Sequence, residues 1–307
     1  MKKDFKTTIG GQAVLEGIMM KGVERNSLAI RKVDGSVYLE TWENKGKKWY
    51  NKAPFVRGVV NFVSQLVVGY KCLMKSAEIS TEGIVDENPS KFDKWLEEKF
   101  GDKLVQAVGV ISMVLGIALA MLLFMYLPAL LTSLFKSFMP AWSLSVIEGI
   151  IKIGLFIGYM AATSLMKDMK RLYQYHGAEH KTIACYEAGE ELTVENIRKH
   201  CRFHPRCGTS FIFLVLFIGI IVFSVVTWSS PLIRALLKLA MMPVVVSIAY
   251  EIIRIAGRHD NALTRAISWP GLKIQHLTTK EPEDDQIEIA VIAMKEVLPQ
   301  VEGSDEW

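Results

Sequence analysis

The chain alternates between polar stretches and long apolar runs that contain no charge. Residues 104–135 and 207–233 are free of charged side chains, and residues 149–166 are interrupted only by Lys152. A fourth run, residues 231–250, carries its two cations near its start. A helix needs about 20 mostly apolar residues to cross a hydrocarbon core of about 30 Å. The pattern therefore predicts four membrane-spanning helices, in segments 104–166 and 210–253.

Strand patterns dominate residues 1–54. The runs "SLAIRKV" and "SVYLETW" flank Asp34 and Gly35, and Asp-Gly between two such runs is a strong β-hairpin signal. The preceding "QAVLEGIMMKG" predicts one further strand. A three-stranded unit of this size needs a partner surface to cover its apolar face. The sequence thus predicts a small N-terminal β element that packs on another part of the chain.

Residues 55–103 predict an amphipathic helix followed by a polar linker. The uncharged stretch 58–70 is too short to span, and Arg57, Lys71 and Lys75 flank it. Such a helix suits the membrane interface; the alternative is an ordinary core helix of a soluble domain.

Two further helices are predicted outside the spans. In the loop 167–209, "LTVENIR" is typical of a helix start with Thr193 as N-cap. In the tail 254–307, Pro282 suits the first turn of a helix capped by Thr279 or a neighbour. Apolar residues recur at helical spacing and form one face of that helix: Ile287, Ile289, Ala290, Ile292, Ala293 and Val297.

Lysine and arginine set the predicted orientation. They are frequent before residue 104, in residues 167–208 and after residue 250, whereas the two other loops hold only Lys136 between them. Cytosolic loops carry the excess of these residues, so four spans with both termini in the cytosol fit. No apolar segment follows the N-terminal lysines, so we expect no cleavable signal peptide. The net charge of +4 fits this bias, and no nucleic-acid partner is predicted.

The fold class predicted is a polytopic α-helical membrane protein with four transmembrane helices. Besides these helices, the predicted protein contains the small N-terminal β element, the interfacial helix and a cytosolic-side α/β cap. All four cysteines would then face the reducing side, where free thiols or metal ligands are favoured over disulfides.

The motif "HGAEH" carries the first candidate chemistry. On a helix, His176 and His180 lie one turn apart on one face, where two imidazoles can share one divalent metal ion. His-x-x-Glu-His is the inverted zinc-hydrolase pattern, in which Glu179 would be the general base. Glu251 could be a third ligand if the helix bends at Gly177, although an ion pair of Glu251 with Arg254 is the simpler interpretation.

The motif "CRFHPRCG" carries the second candidate chemistry. Cys201, His204 and Cys207 stand in a turn-prone segment, and thiolate and imidazole are standard zinc ligands. The simpler alternative places His204 at the lipid headgroups and Cys207 in the core. We predict a zinc or other divalent metal site of His176, His180, His204 and Cys207, with Cys201 or Glu251 open as alternative ligands.

Two smaller features accompany these motifs. The glycines of "GGQAVLEG" allow close approach of the backbone to a ligand or a neighbouring helix. Glu148 and Lys152 lie one helical turn apart and are expected to pair.

Several blocks together resemble the YqhQ-type bacterial membrane-protein family, a domain of unknown function. They are "GGQAVLEGIMMKG", "YHGAEHKTIACYEAG", "LTVEN", "HPRCGTSF", "YEIIR" and "GLKIQHLTTKEPEDDQIEIAV". The resemblance runs from residue 10 to about residue 297. It implies a multi-pass protein of the bacterial plasma (inner) membrane, of a kind described as predicted metal-dependent enzymes, and it brings no substrate.

Two hypotheses of function follow. The first is a membrane-embedded, metal-dependent hydrolase working at the cytosolic face. The second is a non-catalytic scaffold or accessory factor that docks on a membrane protein complex, such as secretion or insertion machinery. Transport is disfavoured, because the spans hold few central polar groups.

Overall fold

The computed structural model describes residues 5–44, 49–82, 102–224, 231–259, 261–301 and 303–306. The chain divides into two compact units. The larger comprises residues 1–82 and 157–307, and the smaller comprises residues 83–156.

A four-stranded antiparallel sheet in the order β1-β2-β3-β4 begins the larger unit. The strands are β1 (Gly10–Val14), β2 (Gly17–Lys21), β3 (Arg25–Arg31) and β4 (Val37–Glu43). The predicted hairpin is the β3–β4 pair. Its turn uses Gly35 at φ 83°, and Ser36 donates its N–H to Asp34 Oδ1 at 2.8 Å. The β element is therefore confirmed.

The prediction of one strand for "QAVLEGIMMKG" is wrong, because the segment folds back on itself as β1 and β2. Val14 pairs with Gly17, which leaves a two-residue turn with Glu16 at φ 50°. The Glu16 carboxylate is bound by Arg171, whose Nη2 donates at 2.6 Å, and by the Tyr175 hydroxyl at 3.2 Å. These distant partners favour the turn, and local strand propensity does not reveal them.

Helices make up most of the rest of the described chain. They are α1 (Val56–Thr81), α2 (Asp102–Met121), α3 (Leu127–Ser133), α4 (Ala141–Thr163), α5 (Lys167–Glu187), α6 (Val194–Lys199), α7 (Gly208–Ser224), α8 (Pro231–Arg258), α9 (Ala262–Thr278) and α10 (Asp284–Val297). A π-helical segment, Leu122–Tyr126, joins α2 to α3.

Within the described residues, three helical segments are long and apolar enough to cross a membrane. They are Val110–Ser133, Ser143–Thr163 and Leu236–Arg258, and they correspond to the first, second and fourth predicted crossings. The third predicted crossing coincides with α7, a shorter apolar helix of 17 residues. The residues after it, 225–230, lie outside the described part of the chain.

The sheet is covered on both faces, since its strands alternate between two hydrophobic clusters. On one face Ile18 and Met20 of β2 pack with α5 and α10. On the other, Met19 packs with Cys72 and Ile79 of α1. The sheet therefore finds the partner surfaces that its small size requires.

Both helices predicted outside the spans form, but one begins later than expected. Thr193 caps α6 by accepting the Asn196 N–H at 3.3 Å, as predicted. The predicted start of the C-terminal helix at Thr279 and Pro282 is wrong. Glu283 is the N-cap, and its N–H is bound by the Gln286 side chain at 3.0 Å in a capping box. The predicted apolar face of α10 is buried or partly buried.

The bend at Gly177 that Glu251 would need to act as a third ligand is absent from α5, which runs through this residue as one helix. The helical path is instead interrupted between α4 and α5, where residues 164–166 form a turn and a bend. Gly177 has a different role, because a Cβ atom there would lie 2.0 Å from the backbone oxygen of Lys280. The residue allows the segment after α9 to pass directly over α5.

Within the smaller unit, the expected pair on α4 forms. Lys152 Nζ lies 2.7 Å from Glu148 Oε1.

Candidate metal centre

Helix α5 and the residue before α7 bring three side chains to one point. His176 and His180 lie one turn apart with ring centroids 4.4 Å from each other. Cys207 Sγ lies 3.2 Å from His176 Nε2. One ligand atom from each residue falls within 4.8 Å of the others. Two imidazoles and a thiol at this separation form a donor set that suits Zn²⁺.

Backbone carbonyls hold both imidazoles in the orientation that a metal requires. His176 Nδ1 lies 2.8 Å from the Thr278 oxygen, and His180 Nδ1 lies 2.7 Å from the Arg202 oxygen. A carbonyl oxygen only accepts, so each Nδ1 must carry the proton and donate. Each Nε2 is then the ring nitrogen left to face the cluster, and it would bind a metal ion once its own proton is lost. Hydrogen bonds of this kind fix the tautomer of most metal-binding histidines.

The electrostatics favour a thiolate at Cys207. Burial opposes ionisation, but the positive charge of His176 and His180 and their hydrogen bonds hold the pKa of the Cys207 thiol well below its ordinary value. Burial also opposes the charge on His176, yet the neighbouring Cys207 raises the pKa of His176 to about 9. The thiolate is the form of cysteine that binds metals.

Glu179 lies beside the cluster, with its carboxylate buried against β1. A Cβ atom at Gly11 would lie 2.9 Å from the Glu179 Cδ, so one glycine of "GGQAVLEG" serves the close approach of a helix. Glu179 Oε2 has no hydrogen-bond partner in the described part of the chain. Burial raises the pKa of Glu179, although His176 and His180 counteract part of this effect. A buried carboxylate oxygen without a protein partner can accept a hydrogen bond from water or bind a cation.

His204 lies next to the cluster, but its side chain faces other partners. Its ring centroid is 5.5 Å from that of His180, while its Nε2 lies 3.2 Å from Arg206 Nη2 and 3.9 Å from Glu187. Burial lowers the pKa of His204 to about 4. Its backbone N–H and oxygen are both bound by the Gln275 side chain, at 2.8 and 2.7 Å. The structure therefore groups Cys207, and not His204, with the two histidines of α5.

The two alternative ligands have other contacts. Glu251 accepts a 2.7 Å hydrogen bond from Arg57 Nε, so α1 supplies its ion pair, and not Arg254 one turn away. Cys201 is exposed, and its sulfur lies 3.5 Å from the Phe203 N–H. Neither belongs to the His176–His180–Cys207 group.

Sequence patterns did not point to the groups that orient the two candidate histidine ligands. Thr278 and Arg202 act through backbone oxygens, which carry no residue signature. Gln275 was also missed. It bridges the 201–207 segment to α9 because its amide binds both His204 and, at 3.0 Å, Ser210 Oγ.

A second group of metal-ligand types lies at the end of α5. Ligand atoms of Cys185, Glu190 and His200 fall within 4.8 Å of one another. Burial raises the pKa of the Cys185 thiol to about 11, and its sulfur lies 3.6 Å from the Glu191 oxygen. His200 Nε2 is 3.2 Å from Glu190. This group favours a protonated thiol and a hydrogen bond between His200 and Glu190 at the surface.

Comparison with known proteins gives a family for the chain. A family model described as "Protein of unknown function (DUF1385)" matches residues 53–300. The chain is also 34% identical over 297 residues to "Uncharacterized protein YqhQ" of Bacillus subtilis (strain 168), covering 94% of this chain and 92% of that protein. The chain belongs to the DUF1385 family. The YqhQ-type resemblance is thereby confirmed. No solved structure matches the chain. The matched range contains the whole candidate centre, but the family description assigns it no activity.

Proposed function

We propose that this protein is a multi-pass membrane protein whose His176, His180 and Cys207 bind one divalent metal ion, with zinc as the best fit. We further propose that it is a metal-dependent hydrolase acting at the cytosolic face of the plasma membrane. One observation carries the proposal: three ligand atoms converge beside a buried carboxylate oxygen of Glu179 that lacks a partner. Catalytic zinc sites characteristically have three protein ligands and a nearby carboxylate.

Each residue of the centre would have its own role in the hydrolysis. His176 and His180 present Nε2 because Thr278 and Arg202 hold their Nδ1 protons, and Cys207 supplies the negative charge. A bound zinc ion would supply Lewis acidity. Glu179 would accept a proton from the attacking water, a role that the raised pKa of its buried carboxylate suits.

The four-span topology supports a cytosolic position for this centre. In that topology α7 is the third crossing, and both termini lie in the cytosol. The centre would then lie on the cytosolic side of the membrane, since α5 follows the second crossing and Cys207 precedes the third. Helix α1 would lie at the interface, because its exposed apolar side chains form one stripe: Val63, Leu66, Val67, Tyr70 and Met74.

Replacing Glu179 with Gln tests the catalytic role. We expect Glu179→Gln to keep its metal, because no ligand changes, yet to fail to complement a strain that lacks the gene. Glu195→Gln, a change at an exposed residue of α6, should complement fully. Complementation by Glu179→Gln at normal protein levels would contradict the hydrolase proposal.

The scaffold alternative remains a second candidate because the centre is buried. His180 and Cys207 are only 2% and 6% exposed, and the centre joins α5, the 201–207 segment and the end of α9. A structural metal would hold a docking platform for a membrane protein complex, such as secretion or insertion machinery. In-cell crosslinking from the exposed surface of α6 would then capture one reproducible large partner.

A further inference from the structure

A cavity of about 680 Å³ lies between the 201–207 segment, the end of α8 and one face of α9. We propose that it binds the headgroup of an anionic phospholipid. The inference rests on α8 crossing the membrane and is independent of the metal centre.

The charge of the cavity wall favours an anion. Lys6, Arg265 and Lys273 contribute cationic side chains, and no carboxylate lines the cavity among the described residues. Arg265 and Lys273 lie two helical turns apart on α9 and are both exposed. Basic pockets beside membrane helices bind phosphate-bearing lipid headgroups in this way.

Apolar groups in the same cavity favour a lipid over a free anion. Phe203, Trp269 and Leu272 line it together with the cations. Trp269 stands between the two cations of α9, and Lys273 Nζ lies 5.6 Å from its ring centroid. An inorganic phosphate would leave these apolar surfaces in water, whereas the glycerol and acyl portions of a phospholipid would cover them.

The cavity also lies beside the end of a candidate membrane span, where lipid headgroups would be. Ala256 lines it and belongs to the last turn of the candidate span Leu236–Arg258. Beyond the span, α9 exposes Leu263, Ile267 and Trp269 next to its cations. Tryptophan together with Lys and Arg is typical of segments at the headgroup level.

The two sites share one segment of chain. Cys201, Phe203 and Pro205 face the cavity, whereas the Arg202 oxygen and Cys207 serve the metal centre. A lipid in the cavity would therefore contact the segment that positions two of the metal-centre groups.

Lipid binding to the full chain in detergent micelles tests the proposal. Native mass spectrometry would compare phosphatidylglycerol with phosphatidylcholine of the same acyl chains. Each cation near an anionic headgroup is worth about fivefold in affinity. We therefore expect Arg265→Gln/Lys273→Gln to bind phosphatidylglycerol about 25-fold more weakly than the wild type. Lys295→Gln, at an exposed residue of α10, should bind normally.

Three outcomes would overturn the proposal. They are equal binding of the two lipids, wild-type affinity in the double variant, and displacement of phosphatidylglycerol by an equal concentration of inorganic phosphate. Lys273→Arg keeps the charge and should retain binding, which separates loss of the site from loss of the fold. Unchanged metal content in the double variant would separate this result from any failure of the metal centre.

Discussion

Zinc should raise the apparent unfolding temperature of the purified, metal-depleted protein by roughly 10 °C when added at about a thousandfold excess over its Kd. The centre joins α5, the segment before α7 and, through the Thr278 oxygen, the end of α9. Unfolding separates these ligands, so a metal that binds only the folded form stabilises it by about 4 kcal/mol at that excess. Thermal unfolding in detergent, with zinc or with a chelator, measures the shift.

Variants separate this effect from general binding of zinc. His180→Ala removes a ligand and should abolish the zinc-dependent shift. Cys201→Ser removes the exposed thiol outside the centre and should leave the shift intact. A shift of equal size in wild type and His180→Ala would show that zinc acts elsewhere on the chain.

Glu187→Gln should lower the free energy of unfolding by about 2 kcal/mol, because it removes one partner of a partly buried ion pair, a case between exposed and fully buried pairs. Glu187 and Arg206 are 19% and 10% exposed, and their side chains are in direct contact. Glu187 also accepts the Thr7 N–H at 2.9 Å. The change leaves the partly buried Arg206 charge without its carboxylate. Glu195→Gln affects only the exposed pair with Lys199 and should cost less than about 1 kcal/mol.

The same pair predicts a loss of stability in acid. Burial alone would raise the pKa of Glu187, but His204 and Arg206 outweigh it and lower the pKa below its ordinary 4.5. A carboxylate with a lowered folded-state pKa stabilises the protein above its unfolded pKa, and that contribution is lost as pH falls through the folded value. Denaturant unfolding between pH 7 and pH 3 should show a smaller acid loss in Glu187→Gln than in the wild type. An equal loss would contradict this assignment.

Features set by local pattern could be predicted from the sequence. The uncharged runs correspond to the three helices that are long enough to span and to α7, because burial of apolar surface in lipid or protein dominates their position. The Asp34–Gly35 hairpin and the Thr193 cap follow from backbone preferences of single residues. The pair His176 and His180 follows from helical periodicity alone.

Features set by distant contacts could not be predicted. The turn at Glu16 depends on Arg171, which is 155 residues away. Glu251 binds Arg57 and not its helical neighbour, because α1 packs against α8. The direction of the His204 side chain depends on Glu187 and Arg206. The spacing of "CRFHPRCG" therefore could not show that Cys207, and not His204, lies with His176 and His180.

Metal content of the purified protein tests the central claim most directly. Elemental analysis should find about one zinc or other divalent ion per chain in the wild type, as one three-ligand site requires. Cys201→Ser and His204→Gln should keep that ion, while Cys207→Ser should lose it. A wild type without bound metal, or a Cys207→Ser variant with as much metal as Cys201→Ser, would contradict the assignment of His176, His180 and Cys207 as a metal centre.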